Sequence, residues 1–160
     1  MKTTFSRTFS TTVMILFLAL ILVGTSFQAL VEDYLTESAV ADLQQNCDAI
    51  SSLASAYCSE GPLLNRDFMV NLDVASRVSG ADMIIFSTDG RAILCSEVLT
   101  GCRHQGLRLS ESYLTKVLEN GGDVATGTIP HLYEESRFVV SSLIKDYATG
   151  APLGVVVVSR

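Results

Sequence analysis

Between Thr8 and Val31 the chain runs 24 residues without a charged side chain, centred on the apolar run Val13-Met-Ile-Leu-Phe-Leu-Ala-Leu-Ile-Leu-Val23. As α-helix that stretch is roughly 36 Å long, enough to cross a hydrocarbon core of about 30 Å. Lys2 and Arg7 precede it with no acid among the first ten residues, and Glu32 and Asp33 follow it. The positive-inside rule then keeps the N-terminus cytoplasmic and exports everything after Val31. The expected division is a cytoplasmic tail over 1–8, a transmembrane helix over 9–31 and an extracytoplasmic domain over 32–160. A cleaved signal peptide shares the charged start and the apolar core, but cleavage wants small residues one and three positions before the cut. A cut after Ala29 puts Phe27 at the third position, which favours an uncleaved anchor.

The remaining composition narrows the function classes. With 160 residues, 48% hydrophobic and only 18% charged, the chain is not disordered and has room for one domain beside its apolar segment. Net charge is −6, and residues 32–160 hold 9 bases against 17 acids. That balance argues against a nucleic-acid partner gripped through a basic face. No phosphate loop, His-Glu-x-x-His, Gly-x-Ser-x-Gly or Cys-x-x-Cys motif occurs, so no catalytic residue is assigned.

Six acids (Glu32, Asp33, Glu37, Asp42, Asp48, Glu60) fall before Gly61 with no base among them. In the same stretch Leu35, Ala39, Leu43, Cys47, Ile50, Ala54 and Tyr57 recur at spacings of three and four. That pattern predicts one amphipathic helix, continuous with the span as a rigid rod to about Cys58 and stopped by Gly61-Pro62. Leu35, Leu43, Cys47, Ile50 and Ala54 are expected to pack on the domain. Leu30 and Tyr34 are expected to pack on a second copy of the helix.

A second helix is expected from Asp67 to Val78, with Gly80 as its stop. Met83–Phe86, the pair Asp89-Gly90 and Ala92–Cys95 read as a β-hairpin with a two-residue loop. Ser110 is placed to cap a helix to Asn120, with Leu109 and Leu114 as its hydrophobic staple and Gly121 past its end. Strands are expected over Ala125–Ile129, Arg137–Ile144 and Leu153–Ser159. The run Val155–Val158, apolar on both faces, should be central. The economical fold is α+β: a long helix, then a five-stranded antiparallel sheet with flanking helices.

Cys47 and Cys58 lie roughly 16 Å apart along one helix, too far to bridge, so both read as buried free thiols. An interchain bond at Cys47 is the alternative. Cys95 ends a strand and Cys102 sits in the following loop, near enough for a disulfide. Free thiols are the second possibility there, and a metal site with His104 the third, although three ligands are one short of the usual zinc set.

The order of elements resembles the extracytoplasmic PAS-like sensor domains (the Cache or PDC group) of bacterial transmembrane receptors, above all two-component sensor histidine kinases. The residues that carry the likeness are the basic start and span, the long helix, Ile84-Ile-Phe-Ser-Thr-Asp-Gly-Arg-Ala-Ile-Leu94, Gly127-Thr-Ile-Pro130 and Pro152-Leu-Gly-Val-Val-Val-Val158. The resemblance implies a signal-input region in the bacterial cell membrane, working as a homodimer on a small-molecule or peptide signal. It also implies a second span just past Arg160, then kinase domains that use ATP and Mg and act on a cytoplasmic response regulator. No cofactor is expected in residues 1–160. The same input domain serves chemoreceptors and cyclic-dinucleotide synthases, and an anchored structural protein without output domain is the reading from another class.

The family places small ligands on the concave face of the sheet, under the loop and helix between the second and third strands. The polar residues that could point there are Arg103, His104, His131, Tyr133, Arg137 and Ser141, a set of donors suited to an organic anion. The competing expectation is that Arg103 and Arg137 are solvated and the pocket is filled by the protein's own side chains.

Overall fold

The computed structural model describes residues 4–60, 65–97, 99, 101–102, 104, 106–129, 132–133 and 135–160. Its elements are α1 (Thr4–Glu60), α2 (Arg66–Ser79), β1 (Asp82–Ser87), β2 (Ala92–Cys95), α3 (Glu111–Asn120), β3 (Gly122–Gly127), β4 (Arg137–Lys145) and β5 (Pro152–Ser159). The chain forms two compact units, Met1–Ser38 and Ala39–Arg160.

The first unit is the N-terminal part of α1, and its helix is long and apolar enough to cross a membrane. Leu16, Phe17 and Leu20 are 60%, 66% and 70% exposed, a surface that suits hydrocarbon rather than water. The hydroxyls of Thr11, Thr12 and Thr25 donate to the carbonyls of Arg7, Thr8 and Ile21 at 2.7, 2.9 and 3.0 Å. These three hydroxyls are thereby satisfied within the helix, as a hydrocarbon environment requires.

In the second unit one antiparallel sheet runs in the order β2-β1-β5-β4-β3. The expected central strand is in place: β5 bonds β1 on one side and β4 on the other. Val155 to Val158 are fully buried, pointing alternately to the two faces. One face packs Met83, Ile85, Val140, Val156 and Val158 against Leu43, Cys47, Ile50 and Ala54 of α1 and Phe68 and Leu72 of α2. The other packs Ile84, Phe86, Val139, Leu143, Val155 and Val157 against Leu114 and Val117 of α3. The period-2 strand and the 3.6-period helix stripe meet here, and this shared burial is what holds the layers together.

Four local expectations need correction. Leu35 is 60% exposed, so the stripe on the sheet starts at Leu43. The β1–β2 hairpin has three loop residues, Thr88, Asp89 and Gly90, not two. Gly90 takes a left-handed φ of 79°, its N–H bonds the Ser87 carbonyl at 2.9 Å, and the Ser87 N–H bonds the Arg91 carbonyl at 2.8 Å. Only a glycine reaches that conformation cheaply, which fits the longer turn with its bulge. β3 starts at Gly122 rather than Ala125, directly after the left-handed Gly121 that closes α3. Gly122 is needed there, since a Cβ would lie 2.8 Å from the Ser141 carbonyl. Finally, α2 begins one residue before Asp67, its cap being Asn65, whose side chain accepts from the Asp67 N–H at 3.0 Å. The Gly61-Pro62 stop lies outside the described residues.

Candidate functional site

The α3 side of the sheet is the face on which the expected ligand-binding residues Tyr133, Arg137 and Ser141 fall. Its floor is apolar, and Leu109, Leu114, Val117, Ile129 and Leu132 cover it. Leu109 and Leu114 are buried together as the expected staple. Ser110 holds the cap position with an extended backbone, but its side chain makes no cap hydrogen bond and lies 3.5 Å from the Ser112 hydroxyl instead.

Strand alternation decides which polar side chains join this face. Asp82, Ile84 and Phe86 share one side of β1; Arg137, Val139, Ser141 and Leu143 share one side of β4; Val155, Val157 and Ser159 share one side of β5. At one end of the face Arg137 Nη1 lies 2.6 Å from Asp82 Oδ2, and the guanidinium sits 4.6 Å over the ring of Tyr133. Ser159 Oγ donates to the Tyr133 hydroxyl at 2.5 Å. Burial pushes the Tyr133 phenol up, opposed by that hydrogen bond. The carboxylate and the ring together fix the guanidinium in place.

A second polar group lies where α3 meets β3. The Tyr113 hydroxyl donates to Ser141 Oγ at 3.2 Å, and Ser141 Oγ donates to the Asp123 carbonyl at 3.2 Å. Lys116 Nζ pairs with the Asp123 carboxylate at 2.8 Å. Burial raises the Tyr113 phenol, which therefore stays protonated and can keep donating. A groove of about 330 Å³ runs along this group between Ser110, Tyr113, Lys116, Thr128 and Ile129. That volume is near the lower end for small-ligand sites, about 300–1,000 Å³.

The sequence-predicted donors are thus divided. Tyr133 and Arg137 come together, Ser141 belongs with Tyr113, and His104 stands beside Cys95 and Cys102. Arg103 and His131 lie outside the described residues. The apolar floor is filled by the protein's own side chains, and Arg137 is paired rather than solvated. Asp82, Tyr113 and Ser159 were not among the expected residues. Counting in twos back from Phe86 and forward from Val157 finds Asp82 and Ser159; no strand pattern flags Tyr113, which comes from a helix.

Cys95 and Cys102 are joined as a disulfide with Cα atoms 6.3 Å apart, whereas Cys47 and Cys58 are free. Cys47 is fully buried, its thiol directed to the carbonyls of Val140 and Val156 at 3.6 and 3.7 Å, which removes it from any interchain bond.

No protein-family model and no curated protein matches the chain. Among solved structures it is similar to the sensor domain of E. coli DcuS, at 11% identity and a TM-score of 0.54, covering 76% of this chain and 90% of that one. It is similar to the sensor domain of the V. cholerae histidine kinase DctB, at 15% identity and a TM-score of 0.55, covering 84% of this chain. The sensory domain of the Campylobacter jejuni chemoreceptor Tlp3 is similar at 18% identity and a TM-score of 0.50, over 82% of this chain. The chain spans only 57% and 55% of the latter two. At these identities the likeness is one of architecture: the chain has the fold of the PAS-like sensor domains of bacterial membrane receptors.

Proposed function

We propose that the chain is the signal-input region of a bacterial sensor histidine kinase, with residues 1–8 in the cytoplasm, 9–31 in the membrane and 32–160 outside. The observation that carries this reading is that one helix, α1, contains both the apolar segment and the Leu43–Ala54 stripe buried on the sheet. A change at the sheet then has a helical route to the membrane, as a small shift of α1 in a homodimer.

The proposed signal is a small organic anion or a peptide end received on the α3 side. Arg137 and Tyr133 engage its carboxylate in competition with Asp82, and Tyr113, held by the buried Ser141, presents its ring to the groove beside α3. Of the other donors proposed from sequence, His104 stands beside Cys95 and Cys102, and Arg103 and His131 lie outside the described residues. No cofactor is assigned to this region; ATP, Mg and the response regulator belong to the proposed output domains. A chemoreceptor input domain is the second reading, supported by the similar fold of the Tlp3 sensory domain.

The test is the coding sequence that follows Arg160. A second apolar stretch of about 20 residues followed by kinase motifs supports the first reading. A methyl-accepting signalling helix in that place selects the second, and a stop codon at 161 contradicts both.

A further inference from the structure

Cys95 closes β2, Cys102 lies in the loop beyond it, and the imidazole of His104 stands next to both. The two sulfurs and a ring nitrogen lie within 4.8 Å of one another, a group found among the described residues. His104 Nδ1 is buried and has no hydrogen-bond partner among the described residues. A buried ring nitrogen left in that state gives up its water for nothing, unless another ligand satisfies it. A cavity of about 340 Å³ opens on the same three side chains, its other walls being Ala92, Ile93, Leu94 and Gly101.

We propose that, once the Cys95–Cys102 disulfide is reduced, Cys95, Cys102 and His104 bind Zn²⁺, with a water from the cavity as fourth ligand. Bonds of about 2.3 Å to sulfur and about 2.0 Å to nitrogen set the donors of a tetrahedral zinc roughly 3.5–3.8 Å apart. The ring nitrogen already lies within 4.8 Å of both sulfurs, which are bonded to each other in the disulfide and must part to that separation once reduced. An external dithiol supplies the two electrons and two protons that open the disulfide, and closes its own disulfide in doing so. Zn²⁺ then displaces the two thiol protons and binds two thiolates and the neutral imidazole nitrogen, leaving a site of zero net charge. Disulfide and metal are alternative uses of the same two sulfurs, so uptake reports the redox state of the compartment. Cys95 faces the core on the α3 side and pairs with Ile84 across the sheet, which places the change against the proposed ligand face. The metal site itself stands on these three side chains and not on the sensor reading.

The test uses the full chain in detergent micelles, reduced with a phosphine, freed of reductant without air and titrated with Co²⁺. The expected result is one equivalent bound, with thiolate charge-transfer and tetrahedral d–d absorption, displaced by Zn²⁺. The oxidised chain should show neither band, and Cys58→Ser should change nothing. His104→Ala should weaken binding by at least about tenfold, since disturbing even an outer partner of a metal ligand does that much. A reduced chain with native circular dichroism that takes up no Co²⁺ overturns the proposal, as does equal binding by His104→Ala or by the oxidised chain. Loss of the native dichroism on reduction also overturns it, because the site needs the folded strand.

Discussion

The hydroxyl of Ser51 donates a 2.5 Å hydrogen bond to the carbonyl of Leu143, 92 residues further along the chain. Cys47 and Ser55 flank it at four-residue spacing on α1, Cys47 directed to Val140 and Val156 and Ser55 accepting from the Lys145 N–H at 3.3 Å. Three small side chains on one stripe bring the helix close to the sheet and set its register against β4. If α1 transmits a signal, these bonds define the position from which it moves.

Ser51→Ala is expected to fold and to lose about 1–2 kcal/mol of stability, the usual effect of removing one partner of a buried hydrogen bond. Ser51→Leu should lose more, because the added bulk pries helix from sheet. Thermal unfolding followed by circular dichroism measures both. An unchanged Tm in Ser51→Ala would mean that the bond does not fasten α1.

Burial, with help from the Asp48 charge, pushes the Cys47 thiol up to about 12, against an ordinary value of 9.0. The folded state thus keeps the proton where the unfolded state releases it. Its contribution is fully present below pH 9 and is lost as pH rises from about 9 towards about 12. Stability measured in urea should fall over that window and fall less in Cys47→Ala. Iodoacetamide, which reacts with thiolate, should label the half-buried Cys58 well before Cys47 in the folded chain. Equal labelling rates would contradict this.

Protein made in an oxidising compartment should yield one linked peptide pair, Cys95 with Cys102, in non-reducing mass mapping. Closing a loop of sequence separation 7 is worth about 2–3 kcal/mol, so Cys95→Ser should unfold earlier by that amount. Two freely alkylated thiols in that material would remove the disulfide from the account.

The elements that were legible in the sequence are those whose signal is local. Val155–Val158 reads as a strand buried on both faces because four β-branched residues in a row leave no face for water. Gly80 and Gly121 read as helix stops because only glycine takes the left-handed turn cheaply there. The hairpin loop differs from expectation because Asp89-Gly90 fits a two-residue turn as well as a three-residue one, and pairing across the strands settles the choice. The site was less legible for the same reason. Arg137 and Asp82 are 55 residues apart in sequence, and their meeting depends on β1, β5 and β4 lying side by side. A search for polar donors finds Arg137 and Tyr133 but has no means of finding the carboxylate that pairs with Arg137.

Just past the apolar segment of α1, Leu30 and Tyr34 are 68% and 69% exposed in the single chain. A second copy of α1 is the proposed cover, with Glu32 and Glu37 on the outer flank. In intact membranes, Leu30→Cys or Tyr34→Cys should therefore cross-link between subunits several-fold more than Glu32→Cys or Glu37→Cys. Equal cross-linking around the helix, or none at any position, would count against a parallel dimer.

The central claim is that a membrane-held helix carries an external input domain, and a topology measurement addresses it most directly. A reporter active only outside the cytoplasm, fused after Arg160, should be active, and the fusion should sediment with the membranes at full length. An inactive reporter, or a soluble mature product lacking residues 1–29, would contradict the account.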